Sequence, residues 1–322
     1  MKNKEIIVSV IVLAYNQENF IGCALDSILM QNTDFPYEIL VGDDCSTDDT
    51  PNILREYASR HPDRIRLFLR EENLGAARNS YELLLQSKGR YLAFCEGDDY
   101  WTCPEKLQKQ VRFLQEHPDF IGCSHRCEIV DENGVRKKDQ SILWVSEKSC
   151  FTLKDFKGIY LPGQTATIMK RNIFLDTDDR YRFLYETNKH ISDRTSTLLY
   201  LTKGSFGFIP ETMSAYRRVS NSGITNRIYE SNESGNSVAG VIMHELNLTH
   251  QLEELSKELT DEKGLFKGYY MQLYEWAVSQ FIKHPSAGNF EVVKASSKPI
   301  GFGVVHPVAF ILGLLMRKGK IK

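Results

Sequence analysis

From Ile6 to Leu13 the chain is apolar except at Ser9, a pattern that suits a parallel strand covered on both faces better than a half-exposed one. The run stops at Ala14-Tyr15-Asn16. From Glu18 onward Phe20, Ile21, Ala24, Leu25, Ile28 and Leu29 recur at helical spacing and predict a helix with one buried stripe. The unit then repeats. Tyr37 to Val41 reads as a strand ending in Gly42-Asp43-Asp44-Cys45-Ser46, and Thr50-Pro51 opens a helix carrying Ile53, Leu54, Tyr57 and Ala58, closed by His61-Pro62. Ile65 to Leu69 is a third strand, ending in Glu71-Glu72-Asn73-Leu74-Gly75. A helix from Ala76 to Gln86 follows, with its stop at Ser87-Lys88-Gly89. Tyr91 to Cys95 is a fourth strand, running into Glu96-Gly97-Asp98-Asp99.

Strands alternating with helices predict an α/β fold with a mostly parallel, doubly wound sheet and helices on both faces, in which ligands sit beyond the carboxyl ends of the strands. The polar clusters fall at those ends, so Tyr15-Asn16, Asp43-Asp44, Asn73 with Arg78, and Asp98-Asp99 are expected to converge on one crevice. Pro104 to His117 reads as a helix with Leu107, Val111 and Leu114 facing inward, ended by Pro118. Beyond it the pattern loosens. Ile121 to Val130 predicts a strand, Asp131-Glu132-Asn133-Gly134 a turn, Thr165 to Met169 a short strand, and Asp193 to Leu201 a helix stopped at Gly204. This second half is expected to be a mixed sheet that covers the crevice. Residues 226–284 show helical spacing, as in Leu246, His250, Leu252, Leu255 and Leu259, and His244 and His250 there lack a companion at ligand spacing. The expected organisation is therefore a domain over 1–225, divided into a half bearing the crevice (1–117) and a half covering it (118–225), then a C-terminal helical region (226–298) and a tail (299–322).

Composition narrows the partners. The chain has 322 residues, 42% hydrophobic and 25% charged, an ordinary globular balance. Lys and Arg number 40 against 42 Asp and Glu, so no global basic field exists for nucleic acid. Seven cysteines form an odd set, and Cys123 with Cys127 lacks a second pair at finger-like spacing, which reads as reduced thiols. Met1-Lys2-Asn3-Lys4 before Ile6 imitates a signal peptide, but the run is β-branched and no small-residue cleavage site follows, so cytoplasmic residence is expected. Between Pro299 and Met316 the only conventionally polar side chain is His306, and Arg317-Lys318-Gly319-Lys320 follows. Apolar then basic suggests attachment to the cytosolic face of a membrane, in-plane or re-entrant because Pro307 and three glycines weaken a spanning helix, with ordinary core packing as the competing reading.

Asp-Asp also occurs at Asp43-Asp44, Asp48-Asp49 and Asp178-Asp179, so the dipeptide by itself marks nothing. Placement at the end of the fourth strand is what distinguishes Asp98-Asp99. Adjacent carboxylates there suit a divalent ion, Mg²⁺ or Mn²⁺, that also touches phosphate oxygens. Tyr15 is suited to stack on a base, Asp44 to accept from its imide or amide edge, and Arg78 to neutralise phosphate.

Four segments carry a family resemblance: Val8-Ser9-Val10-Ile11-Val12-Leu13-Ala14-Tyr15-Asn16, Gly42-Asp43-Asp44-Cys45-Ser46-Thr47-Asp48-Asp49-Thr50, Glu72-Asn73-Leu74-Gly75-Ala76-Ala77-Arg78-Asn79 and Gly97-Asp98-Asp99. In these the chain resembles the family 2 glycosyltransferases of the GT-A fold, over roughly residues 5 to 225. The resemblance implies transfer of a hexosyl or N-acetylhexosaminyl group from a nucleotide diphosphate sugar, usually a UDP-sugar, with inversion. The acceptor implied is a glycan or lipid-linked molecule of bacterial-type surface polysaccharide synthesis. It implies nucleotide contacts at Ala14, Tyr15, Asn16, Asp44, Asn73, Arg78 and Asp98, and metal coordination by Asp99 directly with Asp98 beside it. Glu96 is left unassigned. The family's base lies before a helix of the second half, a position that Asp193 matches, with helix capping as its competing job. Tyr216-Arg217-Arg218-Val219 resembles a Tyr-Arg-x-His segment that closes over the diphosphate. Val219 stands where the His often does, which leaves Arg217 and Arg218 as leaving-group stabilisers. The loops around Trp101, Gln164 and Asp193 are expected to set sugar and acceptor choice. Gln272-Leu273-Tyr274-Glu275-Trp276 lacks the arginine of the processive motif, so single-sugar transfer is expected. A nucleotidyltransferase or a non-catalytic nucleotide-sugar-binding module is the alternative.

Overall fold

A computed structural model describes residues 5–175, 179–187, 193–218, 238–284 and 286–301. The chain divides into two compact units, Met1–Asp155 with Tyr160–Val219, and Phe156–Ile159 with Ser220–Lys322. The division falls a few residues before the expected position 225.

In the first unit β1 (Val8–Ala14), α1 (Ile21–Leu29), β2 (Tyr37–Asp43), α2 (Thr50–Arg60), β3 (Ile65–Leu69), α3 (Ala76–Gln86) and β4 (Tyr91–Glu96) alternate as the periodicity predicts. The rest of the unit is β5 (Tyr100–Trp101), α4 (Lys106–Glu116), β6 (Phe120–Val130), β7 (Cys150–Phe151), α5 (Leu153–Phe156), β8 (Met169–Arg171), α6 (Phe183–Glu186), α7 (Asp193–Leu201) and β9 (Ser205–Arg217). One sheet runs β3-β2-β1-β4-β8-β6-β9-β5, with β7 pairing β9. Its first four strands are parallel, β8 is antiparallel to both β4 and β6, and β6 and β9 run parallel.

The apolar run of β1 is buried because β2 and β4 flank it and helices cover both faces. Val8, Val10, Val12, Ile39 and Val41 share one core with Ile21, Ala24, Leu25 and Ile28 of α1 and Leu107, Val111 and Leu114 of α4. Alternate positions such as Ile11 and Leu40 are also buried, on the opposite face, where α3 packs on β1 and β2. At the amino ends of these strands Ser9 Oγ donates to Glu38 Oε1 (2.7 Å), and the amides of Gly89 and Lys88 donate to Ser9 Oγ and Glu38 Oε1 (both 2.8 Å). The expected strand from Thr165 to Met169 differs: Thr165–Thr167 is a 3₁₀ turn, because Gln164 Oε1 accepts from the Ala166 amide, and the strand begins at Met169. The thirteen-residue β9 absorbs Tyr216 and Arg217 into the sheet.

The second unit holds α8 (Val238–Leu259), α9 (Lys267–Lys283) and α10 (Ala287–Ser297). Tyr269 and Tyr270 of α9 donate to Glu245 and Glu253 of α8 at 2.7 and 3.0 Å. No helix among the described residues is long and apolar enough to cross a membrane. The tail expected to meet a membrane lies almost wholly outside them.

Candidate active site

The carboxyl ends of β1, β2 and β4 and the loop after β3 are tied together by hydrogen bonds. The Asp44 amide donates to Ala14 O (2.9 Å), and Asn73 Nδ2 donates to Asp44 O (3.1 Å). The two oxygens of the Asp44 carboxylate accept from the amides of Leu74 (2.7 Å) and Gly75 (2.9 Å). Gly75 has φ 84°, a conformation open to glycine, and starts α3. Asn16, at φ 53°, takes the amide of Thr47 on its Oδ1 (2.8 Å), while its own amide donates to Ser46 Oγ (2.9 Å). The expected nucleotide residues Ala14, Asn16, Asp44 and Asn73 thus meet, and much of their polarity goes into holding the loops to one another. Tyr15 is left 38% exposed beside them. Arg78, on the first turn of α3, pairs with Glu82 (3.1 Å) and has its guanidinium 6.0 Å from the Tyr185 ring.

At the end of β4 the carboxylates of Glu96, Asp98 and Asp99 each offer an oxygen within 4.8 Å of the others. Burial raises all three acids. Glu96 is pushed up to about 8 by burial and then by the charges of Asp98 and Asp193. Asp98 is raised by burial against the pull of Arg217, and Asp99 well raised by burial, Asp98 and Glu96. Three carboxylates at this spacing, one buried and two half-buried, are a donor set of hard oxygens that a divalent cation fits.

The three differ in what already holds them. Asp99, 1% exposed, accepts from Gln164 Nε2 on Oδ2 (2.6 Å) and from the Arg217 amide on Oδ1 (2.8 Å). Glu96 and Asp98 are only half-buried. Arg217 Nε donates to the Asp98 carbonyl (2.9 Å), its Nη1 to the carbonyls of Glu132 (2.8 Å) and Asp131 (3.3 Å), and the Phe20 and Tyr100 rings lie 4.8 and 5.2 Å away. A guanidinium so bonded ties the carboxylate loop to the turn after β6. Arg218 is less engaged, reaching Ser141 O at 3.2 Å and Asp139 at 3.9 Å. Val219 and the rest of that segment lie outside the described residues.

Trp101 is 1% exposed, with Nε1 donating to Ala166 O (3.1 Å) and the Lys106 ammonium 3.9 Å from its ring. Gln164 is 2% exposed and bonded at both ends of its amide. Trp101 belongs to the core and Gln164 braces Asp99. Asp193 begins α7, is exposed, and accepts the Arg194 amide on Oδ1 (2.7 Å), and its charge acts on Glu96, which sets it beside the cluster. Two buried lysines stand outside the sequence expectations: Lys170, whose ammonium lies beneath α7, and Lys106, behind Trp101. The signal for Lys106 was present, since Lys106 and Gln110 flank the stripe of Leu107, Val111 and Leu114.

Residues 9–222 match the family model described as glycosyl transferase family 2, and the chain belongs to that family. It is an enzyme of the glycosyltransferase class. It is 33% identical over 256 residues to an uncharacterized protein of Mycobacterium bovis, covering 75% of this chain and 68% of that one. It is 40% identical over 116 residues to the putative teichuronic acid biosynthesis glycosyltransferase TuaG of Bacillus subtilis, covering 36% of this chain and 45% of that one. Among solved structures, TarS 1-349 of S. aureus in complex with UDP-GlcNAc superposes with a TM-score of 0.59 at 18% identity, covering 92% of this chain and 83% of that one. The mannosyltransferase PcManGT of Pyrobaculum calidifontis, in complex with GDP-Man and Mn²⁺, gives 0.54 at 18% identity, covering 98% and 81%. These two likenesses establish the shared fold, including the mixed sheet.

Proposed function

We propose that the chain transfers a single sugar, with inversion, from a UDP-sugar to a glycan or lipid-linked acceptor of surface polysaccharide, using a divalent cation. The observation that carries this is the carboxylate triad at the end of β4, the strand beside β1. The donor type is supported by TarS, described with UDP-GlcNAc, and the cation by PcManGT, described with Mn²⁺. The acceptor class is supported by the name of TuaG. Asp98 and Glu96 present the freer oxygens to Mg²⁺ or Mn²⁺, with Asp99 held behind them by Gln164 and Arg217. When bound, the cation neutralises charge on the donor diphosphate and on the leaving group.

Tyr15 stacks on the uracil, and the Asp44 carboxylate, with lone pairs left after the two loop amides, accepts the imide N–H. Arg78 and Arg218 meet phosphate oxygens. Asp193 takes the proton of the acceptor hydroxyl as that oxygen bonds to the anomeric carbon. The bond from that carbon to the β-phosphate oxygen breaks, and its electron pair leaves with UDP. The donor is made in the cytosol, so the catalytic unit works there, with the tail at the inner membrane face.

The test is the product released by wild type, Asp98→Asn and Asp193→Asn when incubated with UDP-sugars and Mn²⁺. Free UDP from wild type and losses on the order of 10²- to 10⁴-fold in Asp193→Asn are expected, with Asp98→Asn losing Mn²⁺-dependent UDP affinity. Pyrophosphate as product would make the chain a nucleotidyltransferase, and binding without product a nucleotide-sugar-binding module. Normal rates in both variants would refute the site.

A further inference from the structure

Lys170 of β8 sits across from Leu92 of β4 and Gly122 of β6 in the sheet. Side chains of β4 alternate, so Leu92, Phe94 and Glu96 share one face, and Lys170 emerges on that same face. The residue is 5% exposed, and a buried ammonium needs partners. Its Nζ donates to Ser196 Oγ at 2.8 Å and lies 4.6 Å from the Tyr200 ring and 5.2 Å from the Phe94 ring. Asp193, Ser196 and Tyr200 follow at helical spacing along one face of α7, and two of them touch this lysine. Burial brings the Lys170 ammonium down to about 7, and the Asp193 carboxylate is the charge that supports its protonated form. The groups beside it are therefore Phe94 from β4, Ser196 and Tyr200 from α7 with the Asp193 charge acting on it, and from β6 a glycine without a side chain.

We propose that Lys170 is a positioning residue that clamps the first turn of α7, and with it Asp193, against the sheet face carrying Glu96. The proposal deepens the reading of Asp193 as base and rests on it. Asp193 is exposed to an incoming acceptor, while Lys170 holds its helix from beneath through Ser196 and interacts with the Asp193 charge. A neutral side chain there keeps the packing volume but releases both the hydroxyl tether and the charge. A small displacement of a base from its hydroxyl costs on the order of 10²-fold in rate.

Two measurements on the full chain test this. In the first, ¹³Cε-lysine is titrated by NMR in wild type, Asp193→Asn and Ser196→Ala, the Lys170 signal being assigned by its loss in Lys170→Met. The Lys170 midpoint is expected to fall in Asp193→Asn, because the supporting charge is gone; an unmoved midpoint overturns the contact. In the second, UDP release from UDP-glucose or UDP-N-acetylglucosamine, water serving as acceptor, is compared with UDP affinity in Mn²⁺. Lys170→Met is expected to lose kcat on the order of 10²-fold with UDP affinity unchanged. Wild-type turnover, or a parallel loss of UDP affinity, overturns the positioning role. Should Lys170→Met fail to fold, Ser196→Ala carries the same kinetic comparison. Activity surviving in Asp193→Asn, or no UDP release by wild type, refutes the base or the proposed function alone, since the lysine titration reads the contact without turnover.

Discussion

Gln164 shows how much one side chain can decide. Its amide oxygen turns the chain into the 3₁₀ segment and its amide nitrogen satisfies Asp99 Oδ2. In Gln164→Ala that buried oxygen loses its donor, at a cost of about 1–3 kcal/mol. Urea denaturation should show this loss, and calorimetry a weaker Mn²⁺-dependent binding of UDP; unchanged values of both would show that Asp99 needs no brace. Lys106 gives a signed pH dependence. Burial lowers its ammonium from 10.5 to about 7, so the unfolded chain takes up the proton first, and wild type loses stability as pH falls from 10.5 toward 7. Lys106→Met removes that dependence. The Tm difference should therefore move in favour of the variant as pH falls through this window, whatever offset the lost bond to Gln110 (2.8 Å) imposes. A constant difference would refute it. At this scale the sequence identified where the carboxylates gather but not which are already bonded. Gln164 and Arg217 are 65 and 118 residues from Asp99, and no local pattern records such pairings.

Among elements, the four parallel strands were legible because β1, β2 and β4 are covered on both sides and the intervening helices carry clean stripes. The two-residue β5 was not, since its position depends on pairing with β9. Nor was the start of β8, where a side-chain cap on Ala166 outweighs the apolar run. The turn before β4 was read as a stop, and the structure gives its reason: a Cβ on Gly89 would lie 2.4 Å from the Ser9 amide nitrogen and 2.6 Å from the Val8 carbonyl carbon. Both are backbone atoms of a central strand and cannot yield. Gly89→Ala is expected to destabilise the chain by about 1–3 kcal/mol, read as a lower urea midpoint with unchanged slope. An unchanged midpoint would show that β1 gives way.

For the whole molecule, every residue assigned to the site belongs to the first unit. A chain ending after Lys298 should bind UDP with Mn²⁺ as the full chain does, and should move from the membrane to the soluble fraction on cell fractionation. Unchanged fractionation would refute the tail as an anchor. The later helices carry their own periodicity in the sequence, whereas the grouping of 156–159 with the later chain is not local and left no pattern to read. The hydrogen bond from the Arg217 amide to Asp99 also spans 118 residues, and it forms only when β9 has paired beside β5 and β6. A chain leaving the ribosome completes β1 to β4 long before that. Closing so long a loop comes late, after local strands and helices have formed. A nascent or half-folded chain therefore displays its acidic loop without the Arg217 hydrogen bonds that hold it in the finished molecule.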